Sequence, residues 1–380
     1  MPSNYLVTGE TSARRAVAPC YLEPPLRETW FIQYSGMFSD VPRIQDGLVF
    51  VGQSNGTLAA YDEVDHHIAW EYKRKGVLKL VHEGNLYYIG YDKRLHLIDS
   101  RSGQAREVYP FNRNGDMLVV QRKLVCTSYE GSTLMTGFDI STAKKVWNYR
   151  STSTAPGTSF SMLCANEEHI IVGQASVTFG EGGHVVALNP ENGDVVWEHS
   201  VSDLPLYMPG EEARRGAPGS ARVHNDIVVV VVPKDFVVGL SVESGERLWT
   251  WTSDLSSAVS DAGNYLYRDR YYQLGANGSY HVIDPLSGKT IFETMLKPGL
   301  PKKQQTAWGW SPILVSETHL FVGSNDGHVL AFDRETGEYV WSILPKRGSA
   351  VRQFASANER LYYGDLGGRL HCLAPKGEVK

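Results

Sequence analysis

The sequence predicts an all-β fold, an eight-bladed β-propeller of four-stranded antiparallel blades, and three observations predict it. One strand–turn–strand pattern recurs from end to end of the 380 residues. Each copy ends on an aromatic or apolar anchor, at Trp30, Trp70, Val108, Trp147, Trp197, Trp249, Phe292 and Trp341. The last copy lacks its final strand, while the first anchor has no copy before it.

The clearest copy runs from His319 to Trp341, HLFVGSNDGHVLAFDRETGEYVW. An apolar strand ending in Gly starts it, a polar turn follows, and a second strand ends in Asp. A short turn carrying Gly then leads into a strand centred on the anchor. The same order appears in GLVFVGQSNGTLAAYDEVDHHIAW ending at Trp70 and in LYYIGYDKRLHLIDSRSGQAREV ending at Val108. Further copies end at Trp147, Trp197, Trp249 and Phe292. The final copy, RLYYGDLGGRLHCLAPKGEV, runs out before its last strand, and PLRETWFIQYSG supplies a strand around Trp30. The N-terminal strand is therefore expected to complete the last blade and close the ring, which removes the exposed edge of an open stack. Residues 1–27 read as an N-terminal extension and residues 28–380 as one propeller domain.

Each recurring residue type has a physical task. The Asp before the turn (Asp62, Asp99, Asp139, Asp284, Asp333, with Asn189 in one copy) can accept hydrogen bonds from the N–H groups of the turn. The Gly after it (Gly103, Gly193, Gly245, Gly288, Gly337) can take a positive φ. The anchor Trp offers a flat surface to the neighbouring blade and an N–H that can reach a carbonyl.

Over residues 28–380 this Asp, Ser/Thr-Gly turn and Trp grammar resembles that of the PQQ-like, quinoprotein-type repeat propellers. The resemblance implies the propeller fold. Alcohol dehydrogenases of that group use an adjacent Cys-Cys pair, a Ca²⁺ and an Asp base around pyrroloquinoline quinone (PQQ). This chain has four cysteines, Cys20, Cys126, Cys164 and Cys372, none adjacent to another, so no cofactor is expected and PQQ least of all. The outer-membrane assembly lipoproteins of the group carry an export signal and a lipidated cysteine, and Cys20 follows no apolar run. Cys126 and Cys372 lie in apolar strand patterns and read as buried thiols.

Composition narrows the partners. At 42% hydrophobic and 21% charged residues the chain is an ordinary globular one. A net charge of −5 without a long Lys/Arg run argues against nucleic acid. No run approaches the apolar length of a membrane span. The first ten residues lack a basic stretch followed by an apolar one, so a cytoplasmic location is expected.

Spacing between anchors points to the ligand-bearing side. Successive gaps of 40, 38, 39, 50, 52, 43 and 49 residues leave extra length in five stretches between blades, at 150–166, 200–225, 253–264, 296–318 and 344–358. A sixth, 174–183, joins second and third strands. Both kinds of connection leave a blade at the same end, so one face is decorated and the other plain, and decorated loops are where binding residues concentrate. A small polar or aromatic molecule, or a peptide, is the expected partner there. The residues chosen for ligand binding are Arg43, Tyr207, Arg222, Trp308, Trp310, Arg352 and Gln353: guanidinium groups for carboxylate or phosphate, aromatic rings for stacking. Arg214 and Arg215 read as part of a solvated loop paired with Glu211 and Glu212. Trp251, two residues after an anchor, reads as packing.

Three classes of function stay open: a binding propeller, a cofactor-independent lyase, cyclase or hydrolase, and a scaffold for protein assembly. The enzyme would use His224 and Asp261 as an acid–base pair shielded by Trp308 and Trp310. His96, His281 and His371 share one repeat position on different blades, cannot converge on one metal ion, and read as half-buried strand residues. His66 and His67 replace the usual turn and read as solvated. No P-loop or dinucleotide fingerprint is present.

Overall fold

The computed structural model describes residues 21–33, 42–52, 56–110, 115–128, 134–142, 144–151, 159–175, 183–206, 214–215, 219–232, 236–255, 259–275, 277–297, 313–346 and 348–375. All regular elements among them are strands. Leu26–Gln33 is β1, set apart from the blade that follows it. Blade 1 is Arg43–Gln45 (β2), Leu48–Gly52 (β3), Leu58–Asp62 (β4) and Ile68–Tyr72 (β5). Blade 2 is Gly76–His82 (β6), Asn85–Gly90 (β7), Arg94–Asp99 (β8) and Ala105–Pro110 (β9). Blade 3 is Met117–Val120 (β10), Lys123–Ser128 (β11), Leu134–Asp139 (β12) and Lys145–Arg150 (β13). Blade 4 is Ser159–Ala165 (β14), Ile170–Ala175 (β15), Gly183–Leu188 (β16) and Val195–Ser200 (β17). A two-stranded hairpin, Pro205–Leu206 (β18) with Arg214–Arg215 (β19), follows. Blade 5 is Ala221–His224 (β20), Ile227–Val232 (β21), Phe236–Ser241 (β22) and Arg247–Trp251 (β23). Blade 6 is Val259–Tyr267 (β24), Arg270–Gly275 (β25), Ser279–Ile283 (β26) and Thr290–Met295 (β27). Blade 7 is Ile313–Val315 (β28), His319–Gly323 (β29), Val329–Asp333 (β30) and Tyr339–Ile343 (β31). Blade 8 is Val351–Ala357 (β32), Arg360–Asp365 (β33) and Arg369–Pro375 (β34), with β1 as its fourth strand. Eight four-stranded antiparallel sheets make this an eight-bladed β-propeller, as expected from the repeat.

The strands divide between two compact units. One holds Tyr109–Thr252, with blades 3 to 5, together with Pro285–Gly288. The other holds blades 1, 2, 6, 7 and 8.

In the second unit the N-terminal strand does what the unmatched ends of the repeat require. β1 pairs antiparallel with β34 from Leu26 opposite Pro375 to Gln33 opposite Arg369. A bulge at Thr29 lies between Glu28 and Trp30, so these two side chains leave opposite faces of the strand. Trp30 packs with Tyr61 and Tyr362 in the core shared by blades 8 and 1, and Leu26 packs in the core shared by blades 7 and 8. Leu22, fully buried in the latter core, extends that anchorage upstream of β1.

Burial in both units lies between blades. Val228, Val230 and Val238 of blade 5 meet Val185, Ala187 and Trp197 of blade 4. Tyr272, Tyr280 and Val282 of blade 6 meet Leu320, Val322 and Phe332 of blade 7. Ile227–Val232 is apolar and buried at every position, with Val228, Val230 and Val232 in the core shared with blade 4.

The turn chemistry follows the sequence reading closely. Asp99 Oδ1 accepts from the backbone N–H groups of Arg101 and Ser102 and from the Ser102 hydroxyl. Asp139 does the same with Ser141 and Thr142, and Asp333 with Glu335 and Thr336. Hydrogen bonds from Ser102 hold the Asp99 carboxyl down at about 2, and those from Ser141 and Thr142 do so for Asp139. Where a glycine holds the fifth position of the turn its φ is positive, 68° at Gly103 after Asp99 and 70° at Gly245 after Ser241.

That glycine also makes room for the anchor of the preceding blade. Trp70, Trp147, Trp197 and Trp249 lie flat against Gly103, Gly193, Gly245 and Gly288, where a methyl group would overlap the indole. Each indole N–H reaches a carbonyl of the same turn: Ser100 at 3.0 Å, Pro190 at 2.9 Å, Val242 at 2.6 Å and Pro285 at 3.1 Å. Within its own blade each Trp sits opposite a small residue of the third strand: Ala60, Gly137, Ala187, Gly239 or Ala331. Where Val282 occupies that place, the anchor is the smaller Phe292.

Two expectations need correction. His66 is half-buried, because it occupies the glycine position of its turn at φ 62° and lies against Trp30, with ring centroids 4.5 Å apart; His67 is exposed as expected. The long inter-blade stretches are also shorter than the spacing suggested. β14, β24 and β32 fall largely inside 150–166, 253–264 and 344–358, because first strands such as SFSMLCA and VRQFASA carry small and polar residues in place of an apolar alternation.

The glycine contacts separate two energetic effects. Gly47 has φ 76° and open space where a methyl group would stand, so Gly47→Ala carries backbone strain alone, about 1 kcal/mol. Gly245→Ala adds overlap with Trp197 and is expected to cost about 3 kcal/mol. Urea denaturation of the two variants checks the difference.

Candidate functional site

In each blade the connections from second to third strand and from fourth strand to the next first strand leave at one end. Six of the candidate residues stand on first strands, five of them toward those connections, whereas His224 closes β20 beside the tight turn at the other end. Arg43 opens β2, Arg222 and His224 lie on β20, Asp261 on β24, and Arg352 with Gln353 on β32.

β2 and β20 pair regularly, whereas β6, β24 and β32 do not. Register shifts occur between Leu78 and Leu80 in β6, between Val259 and Asn264 in β24, and between Val351 and Phe354 in β32. Asp261, Arg352 and Gln353 are thus bulge residues, and bulges re-aim side chains out of the pleat.

In the second unit β2 runs beside β32. Arg43 is half-buried, and its Nη2 donates to the carbonyl of Lys79 at 3.2 Å, a group presented by the bulge in β6. Arg352 is exposed. In the first unit Arg222 is half-buried and its Nη1 donates to the Ala221 carbonyl at 2.8 Å. His224 Nε2 accepts from Asn225 Nδ2 at 3.2 Å, in the turn that follows β20. His224 and Asp261 belong to different units. Tyr207, Trp308 and Trp310 lie outside the described residues, as do the side chains of Asp261, Gln353, Arg214 and Arg215. Guanidinium groups on first strands can hold a carboxylate or phosphate through charge-assisted hydrogen bonds.

Sequence reasoning missed a clamp in the first unit. Arg247 of β23 donates from Nη2 to Asp203 Oδ1 at 2.7 Å and from Nη1 to Oδ2 at 2.9 Å. The same guanidinium reaches the Ser200 carbonyl and the His199 ring. It holds the Asp203 carboxyl below its usual range, while burial and then the nearby Arg247 charge lower His199. The pair fixes the chain leaving β17, just ahead of the β18–β19 hairpin. Its partners are 44 residues apart, and neither carries a local signal.

The repeat-position histidines also differ from expectation. His96, His281 and His371 are fully buried, because each meets an acid: Asp92, Glu293, and Glu28 with Asp365. Trp251 is buried, as its packing role requires, and Cys126, Cys164 and Cys372 are buried free thiols.

The Arg247 clamp makes a prediction for the hairpin it fastens. Arg247→Ala is expected to cost about 1 kcal/mol globally, because Asp203 is largely exposed. It should speed proteolytic cleavage between residues 201 and 219 several-fold, as read by limited proteolysis with mass spectrometry.

Similarity to known proteins follows the fold. BamB from Moraxella catarrhalis superposes with a TM-score of 0.66 at 18% identity, covering 92% of this chain and 100% of that one. A quinohemoprotein alcohol dehydrogenase from Comamonas testosteroni gives 0.63 at 13% identity, covering 93% and 77%. The computationally designed Ika8 protein gives 0.67 at 13%, covering 90% and 98%. At such identities the likeness is one of fold. Among curated proteins, the outer membrane protein assembly factor BamB of Shewanella oneidensis is 22% identical over 199 residues, 51% of this chain and 46% of that protein. An uncharacterized protein of Rickettsia conorii is 22% identical over 336 residues, 83% of this chain and 78% of that one. The chain thus spans about half the length of the Shewanella relative it matches.

The dehydrogenase neighbours raise the question of a quinone cofactor with its metal. Among the described residues no three His, Cys, Asp or Glu side chains cluster as metal ligands, and the three described cysteines lie buried on separate blades. No helix of the described residues is long and apolar enough to cross a membrane. The model of one family, described as outer membrane protein assembly factor BamB, matches residues 20–116, 81–250 and 233–380. Its matches overlap because consecutive repeats share one grammar, and together they take in every blade, so the chain belongs to the BamB family.

Proposed function

We propose that the chain is a docking scaffold in the assembly of outer-membrane proteins, and that its partner is a protein segment held at the loop-bearing ends of the blades. The observation that carries this reading is the family match over residues 20–380. The interior is in keeping with it: buried His96, His281, His328 and His371 bind acids within their own sheets or turns. Acting there would place the chain on the periplasmic side of the cell envelope, in place of the cytoplasmic location expected from its first residues.

The first-strand cations supply a mode of recognition. Arg43, Arg222 and Arg352 stand at the loop-bearing ends, and acidic or carboxylate-bearing peptide segments suit them. Peptide binding, one form of the ligand reading, thereby becomes the means of docking. In cells lacking the chain, folded outer-membrane β-barrel protein should fall, and expression of the full chain should restore it. Unchanged β-barrel levels would overturn the proposal. The triple variant Arg43→Ala/Arg222→Ala/Arg352→Ala should keep its unfolding free energy, read by urea denaturation, to within about 1 kcal/mol yet restore less than half of the wild-type level.

A further inference from the structure

We propose that β1, the strand that completes blade 8, is held by a proton-operated latch in which the His371 imidazolium bridges Glu28 of β1 and Asp365 at the end of β33. The geometry demands the charged ring. His371 Nδ1 lies 2.7 Å from Glu28 Oε1, and Nε2 lies 3.2 Å from Asp365 Oδ2. A neutral imidazole has one N–H and cannot donate to both carboxylates, whereas an imidazolium can. His371 and Asp365 are completely buried, so water cannot replace the missing donor cheaply.

The charged and titratable groups around the ring come from three strands. β1 contributes Glu28, β33 contributes Asp365 and Tyr363, and β34 itself contributes Arg369. Tyr363 stacks on the imidazole at 4.7 Å between centroids. Blade 7 presents Leu314, Phe321, Val329 and Ala331 to the core that holds Tyr363, and none of these titrates. Burial pulls the pKa of His371 down, but the hydrogen bonds and charges of Asp365 and Glu28 outweigh it and leave the pKa raised.

Release is directional. Asp365 keeps other donors when the proton leaves: the N–H groups of Ser349 and Arg369 and the Arg369 guanidinium. Among the described residues Glu28 has the His371 hydrogen bond alone. The other donors fix the buried Asp365 beside Nε2, so the one N–H of the neutral ring faces it, and Glu28, whose side chain keeps 15% exposure, turns to water and frees the middle of β1 beside the Thr29 bulge. Because the folded-state pKa is raised, the contribution is fully present below the ordinary histidine value and is lost as pH rises through the raised one.

Hydrogen–deuterium exchange on the full chain, corrected for intrinsic rates, tests this from pH 6 to pH 9. Protection of the β1 amides should fall on the order of ten-fold relative to those of β29, the loss of one charge-assisted hydrogen bond. Glu28→Gln, which no longer needs the imidazolium, should abolish that fall. Equal behaviour of β1 and β29 in the wild-type protein overturns the latch without any variant. A Glu28→Gln protein that keeps the pH-dependent loss overturns it too.

Discussion

One contact sets the geometry of the repeat: the anchor indole lying flat on the glycine of the following turn while its N–H reaches a carbonyl of that turn. Two separate sequence features meet there, a Trp at the end of one blade and, in the next, a turn that opens on Asp, Asn or Ser and closes on Gly four residues later. The polar side chain at its start ties down the turn, the positive φ opens it, and the missing Cβ admits the ring. A large apolar surface and a polar N–H are satisfied together, which a Leu or Phe at the same place could not do.

Departures from that contact obey the same space requirement. At the junction of blades 8 and 1, His66 takes the glycine position and offers its own ring to Trp30. Phe292 stands where the cross-strand neighbour is Val282, and the following Gly337 lies against Thr294 in place of an indole. Ring size, cross-strand neighbour and turn residue therefore vary together. Blade 8 has its own constraint, since its fourth strand comes from the other end of the chain. There the backbone ladder of β1 with β34, the Trp30 contact and the Glu28–His371 pair act on one eight-residue strand.

Fold and site were not equally legible in the sequence. Blade number, closure by β1, the Asp turns and the anchor roles could be read because each rests on short-range grammar repeated many times. First strands were read as inserted loops because SFSMLCA and VRQFASA lack an alternating apolar pattern and are held by the neighbouring strand. The buried acid–histidine pairs were under-read, since Glu28 and His371 are 343 residues apart. The Arg247–Asp203 clamp was invisible for the same reason. Candidate binding residues could be placed on first strands by counting, but their partners depend on bulges that no local pattern announces.

Fold and role separate in this architecture. An assembly factor, a quinohemoprotein dehydrogenase and a designed protein share the propeller, so blades and docks describe a frame and leave the work to what its ends display. The frame itself rests on the indole–glycine contact, and a double-mutant cycle on Trp197 and Gly245 tests it most directly. If the two residues form one unit, the cost of Gly245→Ala falls to backbone strain alone when Trp197 is already Ala, giving a coupling of about 2 kcal/mol by urea denaturation. Additive costs, with coupling below about 0.5 kcal/mol, would contradict a structure built on that contact.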